Sequence, residues 1–512
     1  MKVSPQVESA DGTAQQTQQP AETSSDHHHA PKDIATEFAG LTPEQQCLKR
    51  MGIVVLGEIE GAKTIVCFSQ NLAKMVEIKA IEKYKLENLF QDFGESAVKA
   101  HVNLGDQPDP AKLSLSFIRQ SIAVEGGKRR LTDHNQLGLG IWEINGRLIM
   151  VNGGEMAILN GHFERSYVPT VEGKLIDFGG GEKWFDFDEL SELLKQSSDP
   201  EWCRSVFNEG CSLFAKWDNW AADDTPQLVT ALVCASFLQT VWKWRPQIAI
   251  CGSSNSGKSI LVEETLQHIF GGLALLLSKP SEAGLRQLVG HTAKVIIVDE
   301  FENDKHRASI LEWFRLGGRG SSTARGTAGG QKGIKFTLKH MPWVSAIEIG
   351  LKRAPDRNRF ITLELKKVKK NKSTLVVPPP PELRILGTKL LAVGLRYWRE
   401  VISFAADLKQ RGFGRVDRRL VESYSVPCGM LATVMGMTLD QAADLMQSMF
   451  EKRDMETAAE SDEAILLQEI YESTITMPHG VRATVSEMLS DEFKEPGWGD
   501  ALQRAGIKRY KS

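Results

Sequence analysis

The chain has 512 residues, is 41% hydrophobic and 25% charged, and carries a net charge of −3; this suits two to four domains with cores of their own and excludes a small stapled module. So small a net charge says little about partners, and local charge matters more. Seven scattered cysteines, with no CxxC pair and no histidine at ligand spacing, argue against a disulfide framework or a zinc site and suit a reducing, cytoplasmic setting.

Residues 1–38 are rich in Gln, Ser, Thr, Pro and His and too poor in large apolar groups to repay the entropy of ordering, so a disordered tail is expected. His27 to His29 are read there as solvated polar residues. The tail has no apolar stretch of the kind a signal peptide carries, and the apolar run "LVTALVCASFLQTVWKW" is interrupted and too short to span a bilayer. A soluble protein without membrane contact is expected.

Residues 39–184 show short, strand-like apolar runs and predict a β-rich domain. "MGIVVLGEIEGAKTIVCFSQ" has a Glu-Gly turn between two runs, and Asn145-Gly146 in "LGLGIWEINGRLIMVNGG" is a hairpin signal, because both turn positions need positive φ. Residues 185–244 return to helical spacing, as in "FDELSELLKQ", and predict a connector or lid. Residues 245–366 predict a compact α/β core. Residues 367–380, a lysine run followed by four prolines, read as a linker. Residues 381–512 are helix-rich, and their end suits either a winged-helix or helix-turn-helix unit, with Arg504, Lys508, Arg509 and Lys511 as phosphate contacts, or a small bundle with a basic end. No DNA site is assigned there.

The core carries the chemistry. "IAICGSSNSGKS" matches G-x-x-x-x-G-K-[ST] from Gly252 to Ser259: a strand runs into small residues whose N–H groups can converge on phosphate, and a helix begins there with its positive end toward them. Gly252, Ser253, Ser254, Asn255, Ser256 and Gly257 form the cradle, Lys258 reaches the β- and γ-phosphates, and Ser259 holds Mg²⁺. The competing reading is a Gly/Ser-rich surface loop. An acid-tipped strand follows in "KVIIVDEF". Asp299 sits beside Mg²⁺ in this reading, and Glu300 orients and deprotonates the attacking water. Its alternative is a buried strand with surface acids.

Between the two motifs fit a strand, "LALLLS", and a helix, "SEAGLRQLV"; afterwards come a helix and the strands "PWVSAIEI" and "RFITLEL". The core is therefore expected to be a parallel five-stranded sheet with helices, in the layout of P-loop ATPases that use an added catalytic glutamate.

The segments "WRPQIAICGSSNSGKS", "SEAGLRQLVGHTAKVIIVDEFEND", "GSSTARGT" and "APDRNRFITLEL" resemble the ATPase modules of phage- and plasmid-borne primase-helicase proteins, related to superfamily-3 and AAA+ helicases. The resemblance spans roughly residues 130–365. It implies a multidomain α/β protein with an ASCE/AAA+-like core that uses ATP and Mg²⁺. It also implies an arginine finger at Arg357 or Arg359 acting on a neighbouring subunit's ATP, and hence a homo-oligomeric, hexameric ring. The alternative for these arginines is a salt bridge with Asp356 or an exposed strand edge. Ser345 occupies the sensor position where superfamily-3 members usually place Asn, and no primase half is visible upstream.

From Arg315 to Lys372 there are fifteen Lys or Arg against three acids, a local +12 that leaves −15 on the rest of the chain. The stretch contains a glycine-rich arm and an expected hairpin tipped by "AGGQKG". In a ring, Arg325, Lys332 and Lys335 would face the pore and touch DNA phosphates without reading sequence. A solvated basic loop is the alternative, and the resembling helicases insert a DNA-contacting hairpin at this point. The expected function is that of an ATP-driven helicase or translocase on single-stranded DNA in the replication of a mobile element. An ATP-dependent regulatory or assembly ATPase acting on a protein, or a defence ATPase, is the alternative.

Overall fold

The computed structural model describes residues 40–507 apart from 60–62, 73, 106–108, 132–135, 167–168, 173, 179–182, 302–305, 319, 321, 328–329, 348–356, 369–374, 415, 454–466, 468–469, 472, 478–481 and 491–495, and within 322–337 it describes strands alone. The tail 1–38, including His27 to His29, and the basic end 508–512 thus lie outside the described residues. The chain is a multidomain α/β protein built around a five-stranded, all-parallel sheet.

Two antiparallel meanders dominate the first part. Strands Ile53–Ile59, Ile65–Ser69 and Lys74–Ile78 form one, extended by Arg130–Leu131; Gly140–Ile144, Arg147–Asn152, Glu155–Leu159 and Phe163–Ser166 form the other. Asn145-Gly146 makes the expected two-residue turn, with φ of +51° and +77°. The Glu-Gly turn expected at 60–61 lies outside the described residues. Among the described residues the domain also holds the α-helices Pro43–Arg50, Leu86–Phe93, Glu95–Lys99 and Leu115–Gly127. The first is closed by a capping box at Thr42, and in the last the i, i+4 pair Ile118 and Ile122 is fully buried against the first meander.

We label the central strands β1 (Gln247–Gly252), β2 (Ala274–Ser278), β3 (Val295–Asp299), β4 (Trp343–Ala346) and β5 (Phe360–Leu365). Their order across the sheet is β2-β3-β4-β1-β5. β2, between the two motifs in sequence, therefore takes the edge, and β4 separates β1 from β3 in space. Alternate residues enter two cores: Ile248, Ile250, Ile297, Trp343 and Leu363 face the helices before and after the sheet, whereas Ala249, Cys251, Ile296, Val298 and Val344 face helices Glu282–Val289 and Arg307–Gly317. A sheet covered on both faces explains why its strands read as nearly unbroken apolar runs.

Helices Phe187–Gln196, Pro200–Phe214 and Thr225–Phe237 share one continuous core with helices Pro380–Gln410, Arg418–Met435 and Leu439–Lys452. The long helix comes so close to the helix after β1 that a Cβ on Gly387 would stand 2.1 Å from the Ile269 carbonyl. Leu375 and Val377, within the stretch read as a linker, pack against this same core. A small C-terminal unit, with strands Thr474–Thr476 and Arg482–Thr484 and helices Val485–Leu489 and Trp498–Arg504, has its own core around Val485 and Met488. Among the described residues no helix is long and apolar enough to cross a membrane.

Candidate functional site

β1 ends in a tight loop whose conformation only small residues tolerate. A Cβ on Gly252 would lie 2.5 Å from the Leu365 carbonyl and 2.8 Å from Ser256 Oγ, and Asn255 and Gly257 adopt φ of +63° and +90°. The chain then enters a helix that makes π-type turns over Ile260–Leu266 and α turns over Gln267–Phe270. Lys258 Nζ curls back to donate to the carbonyls of Gly252 at 2.6 Å and Ser253 at 3.1 Å. The loop's own acceptors thus hold the ammonium at the cleft.

That cleft has a volume of about 1250 Å³ at the carboxyl ends of the strands, where open α/β sheets place their ligands. Ser254 through Ile260 line it, together with Asp299, Glu300 and Ser345. Gly252 ends β1 and Ser253 follows it; neither is among the residues lining the cleft, and both meet it through Lys258, whose ammonium their carbonyls accept. The structure therefore brings together loop, acid strand and β4 tip around one cavity. The hydroxyls of Ser256 and Ser345 are buried with no hydrogen-bond partner among the described residues, two orphaned polar atoms beside the cavity.

Asp299 is buried at the end of β3, and the Phe301 N–H donates to the Ser345 carbonyl at 2.7 Å, locking the acid turn to β4. Glu300 has φ of +51°, a strained backbone for a residue other than glycine and a cost of about 1–3 kcal/mol that surrounding contacts must hold. Register explains its neighbour: Ser278 pairs with Asp299, so Lys279 and Glu300 leave their strands side by side, and Lys279 Nζ lies 2.9 Å from Glu300 Oε2. Lys279, also left-handed at φ +50°, was not foreseen from sequence. Its only sequence signal is a basic residue at the tip of the strand next to the acids.

A second unforeseen wall comes from Lys216 to Asn219 and from Lys367, Val368, Leu375 and Val376. "AKWDNWAADD" breaks helical periodicity with two tryptophans, which signals a packed turn without saying against what.

Arg357 and Arg359 lie elsewhere. The Arg359 carbonyl accepts from the Gln247 N–H at the start of β1, so both arginines flank the amino end of the sheet, roughly 16 Å of strand from the loop at about 3.3 Å per residue. They do not reach their own chain's cleft. The expected hairpin is present as antiparallel strands Ser322–Thr327 and Gly330–Thr337, with Arg325 opposite Ile334, Lys335 opposite Ala324, and Lys332 within an irregularity near the tip. Leu338 anchors its base, packed so tightly that a Cβ on Gly317 would meet it at 2.4 Å. Buried Arg245 and His340 lie below. Arg245 donates to the carbonyls of Gln239 and Thr240 and is pulled down to about 10 by burial, and His340 is held neutral at about 3, chiefly by burial.

The donor set fits a nucleoside triphosphate with Mg²⁺: small-residue backbone and a lysine for phosphate, and a serine hydroxyl with a carboxylate as hard oxygen ligands. The orphaned Ser256 and Ser345 hydroxyls fit the same ligand.

No protein-family model matches the chain, and no curated protein matches it. Solved structures that it is similar to include two A-form apo structures of the NrS-1 C-terminal region. One has a TM-score of 0.34 and 11% identity, covering 84% of this chain and 77% of that one. The other has a TM-score of 0.33 and 12% identity, covering 86% and 97%.

Proposed function

We propose that the protein is an ATP hydrolase with a P-loop core of the ASCE/AAA+ type, working as a helicase or translocase on single-stranded DNA in the replication of a mobile genetic element. The observation that carries this reading is the convergence of Lys258, Ser259, Asp299, Glu300 and Ser345 on one cleft at the carboxyl ends of β1, β3 and β4. The insertion of β4 between β1 and β3 supports the ASCE assignment.

In this reading the loop N–H groups and Lys258 bind the phosphates, and Ser259 and Asp299 hold Mg²⁺. Held there, the ion would supply neutralisation of charge on the phosphate oxygens. Glu300 takes a proton from the attacking water once it leaves Lys279, and the Ser345 hydroxyl donates toward the terminal phosphate. The arginines at the amino end of the sheet favour a site shared between subunits, since their own cleft lies beyond their reach; Arg357 or Arg359 would stabilise charge in a neighbour's cleft. That arrangement calls for a homo-oligomeric ring, with the basic hairpin against the DNA backbone.

ATP turnover with and without single-stranded DNA tests the reading, using Lys258→Ala and the pair Lys332→Ala with Lys335→Ala. Turnover that survives Lys258→Ala removes the nucleotide assignment. Turnover that DNA does not stimulate, with DNA binding unchanged in the hairpin variant, removes the translocase.

A further inference from the structure

The glycine loop does not hold its shape alone. Trp217 Nε1 donates to the Gly257 carbonyl at 3.0 Å, and Asn219 Nδ2 donates to the Ser256 carbonyl at 3.0 Å. The same Asn219 amide donates to the Lys366 carbonyl at 2.5 Å, while the Lys366 N–H returns to the Asn219 carbonyl at 2.8 Å. Ala221 N–H continues this pairing onto the Glu364 carbonyl at 2.9 Å, and Lys216 Nζ donates to the Val376 carbonyl at 3.2 Å. Residues 219–221 therefore pair antiparallel with the end of β5, and the Trp217 and Asn219 side chains reach across into the loop.

The two bonds fall on carbonyls whose orientation decides where the loop's donors point. In a trans peptide the C=O and the following N–H point in opposite directions. The Gly257 carbonyl also accepts the Leu261 N–H at 3.1 Å, so it runs down the helix, and the Lys258 N–H of the same peptide faces out beyond the helix start. Trp217 fixes that peptide. Asn219 fixes the preceding one and with it the direction of the Gly257 N–H. Gly257 is matched to this role, because a Cβ there would stand 2.9 Å from Trp217 Nε1.

We infer that Trp217 and Asn219 are positioning residues that pre-set the Gly257 and Lys258 N–H groups for phosphate, joining the β5 edge to the nucleotide loop. The inference rests on the ATP reading of the cleft. Neither side chain needs to touch the reacting atoms; each spares the ligand the cost of ordering the loop. Their loss acts on affinity and leaves the chemical step of bound ATP nearly intact.

Calorimetric titration of the full chain with Mg·ATP, paired with steady-state turnover, tests this. Each lost hydrogen bond weakens ATP binding about threefold to tenfold, so Trp217→Phe shows one such step and Asn219→Ala a larger one. KM rises in parallel while kcat changes less than about twofold. Melting curves separate this from unfolding: Asn219 is half-buried at the surface and its variant decides the matter if Trp217→Phe does not fold. Folded variants that bind ATP as tightly as the unaltered chain, while Lys258→Ala does not, overturn the inference and leave the ATP reading standing. An unaltered chain that binds no ATP overturns both.

Discussion

Replacing Gly257 by alanine perturbs the site at its most constrained atom. At φ +90° the new side chain meets a backbone strain of about 1–3 kcal/mol. Its Cβ would also lie 2.9 Å from Trp217 Nε1, so the buried indole must retreat and its 3.0 Å bond to the Gly257 carbonyl weakens, at about 0.5–1.5 kcal/mol. Together these effects oppose the binding-competent loop by about 2–4 kcal/mol, which corresponds to about thirtyfold to several hundredfold in ATP affinity. Trp217 belongs to the main hydrophobic core, so part of this cost also lowers the melting temperature, and the affinity is read at a temperature where the variant is folded. Calorimetric titration with Mg·ATP reads the affinity directly. A Gly257→Ala protein that binds ATP within about threefold of the unaltered chain would refute the claim that this loop conformation is what the ligand needs.

Further outcomes follow from other contacts. The Lys279–Glu300 pair is exposed, so Lys279→Ala leaves the melting temperature nearly unchanged, a stability effect under about 1 kcal/mol, whereas Glu300→Gln abolishes turnover and keeps ATP binding; turnover that persists in Glu300→Gln removes the general base. His340, about 3 in the fold against 6.5 when exposed, binds its proton more readily in the unfolded chain, so its contribution is full above about pH 6.5 and is lost as the pH falls toward 3. By pH 5 the loss is about 2 kcal/mol, and the gap in melting temperature between pH 8 and pH 5 narrows in His340→Asn; an unchanged gap contradicts the buried neutral imidazole. Mixing Arg357→Ala with Lys258→Ala subunits restores part of the turnover if the arginine acts across an interface, and a mixture as inactive as its parts speaks against Arg357 as the finger.

The sheet was legible because its strands are buried on both faces. "QIAIC" and "KVIIVDEF" are apolar runs ended by a glycine and by acids, and those ends are what the cleft uses. Asn145-Gly146 was equally plain, since both turn residues need the left-handed region. The order of the strands was not legible. Chain order puts β2 between the two motifs, yet β4 separates them in space, because pairing depends on which crossover each helix makes. The early helices escaped notice among short strand-like runs. The wall made by Trp217 and Asn219 was hidden for another reason: its bonds join residues 37, 40 and 147 positions apart, which no local pattern records. The stretch 367–380 reads as a linker by composition, and Leu375 and Val377 nevertheless pack on the main core. Asp299 and Ser345 could be placed at strand tips from sequence. That the Ser345 hydroxyl would be buried without a partner beside the cleft could be seen only once β3 and β4 were paired.

The central claim is that one cleft hydrolyses ATP and that single-stranded DNA drives it. The direct test is phosphate release by the purified chain with Mg·ATP, in the absence and presence of single-stranded DNA, beside the Lys258→Ala chain. The account predicts release that DNA stimulates and that Lys258→Ala abolishes. Release that is absent with DNA present, or that continues at the same rate without Lys258, would contradict it.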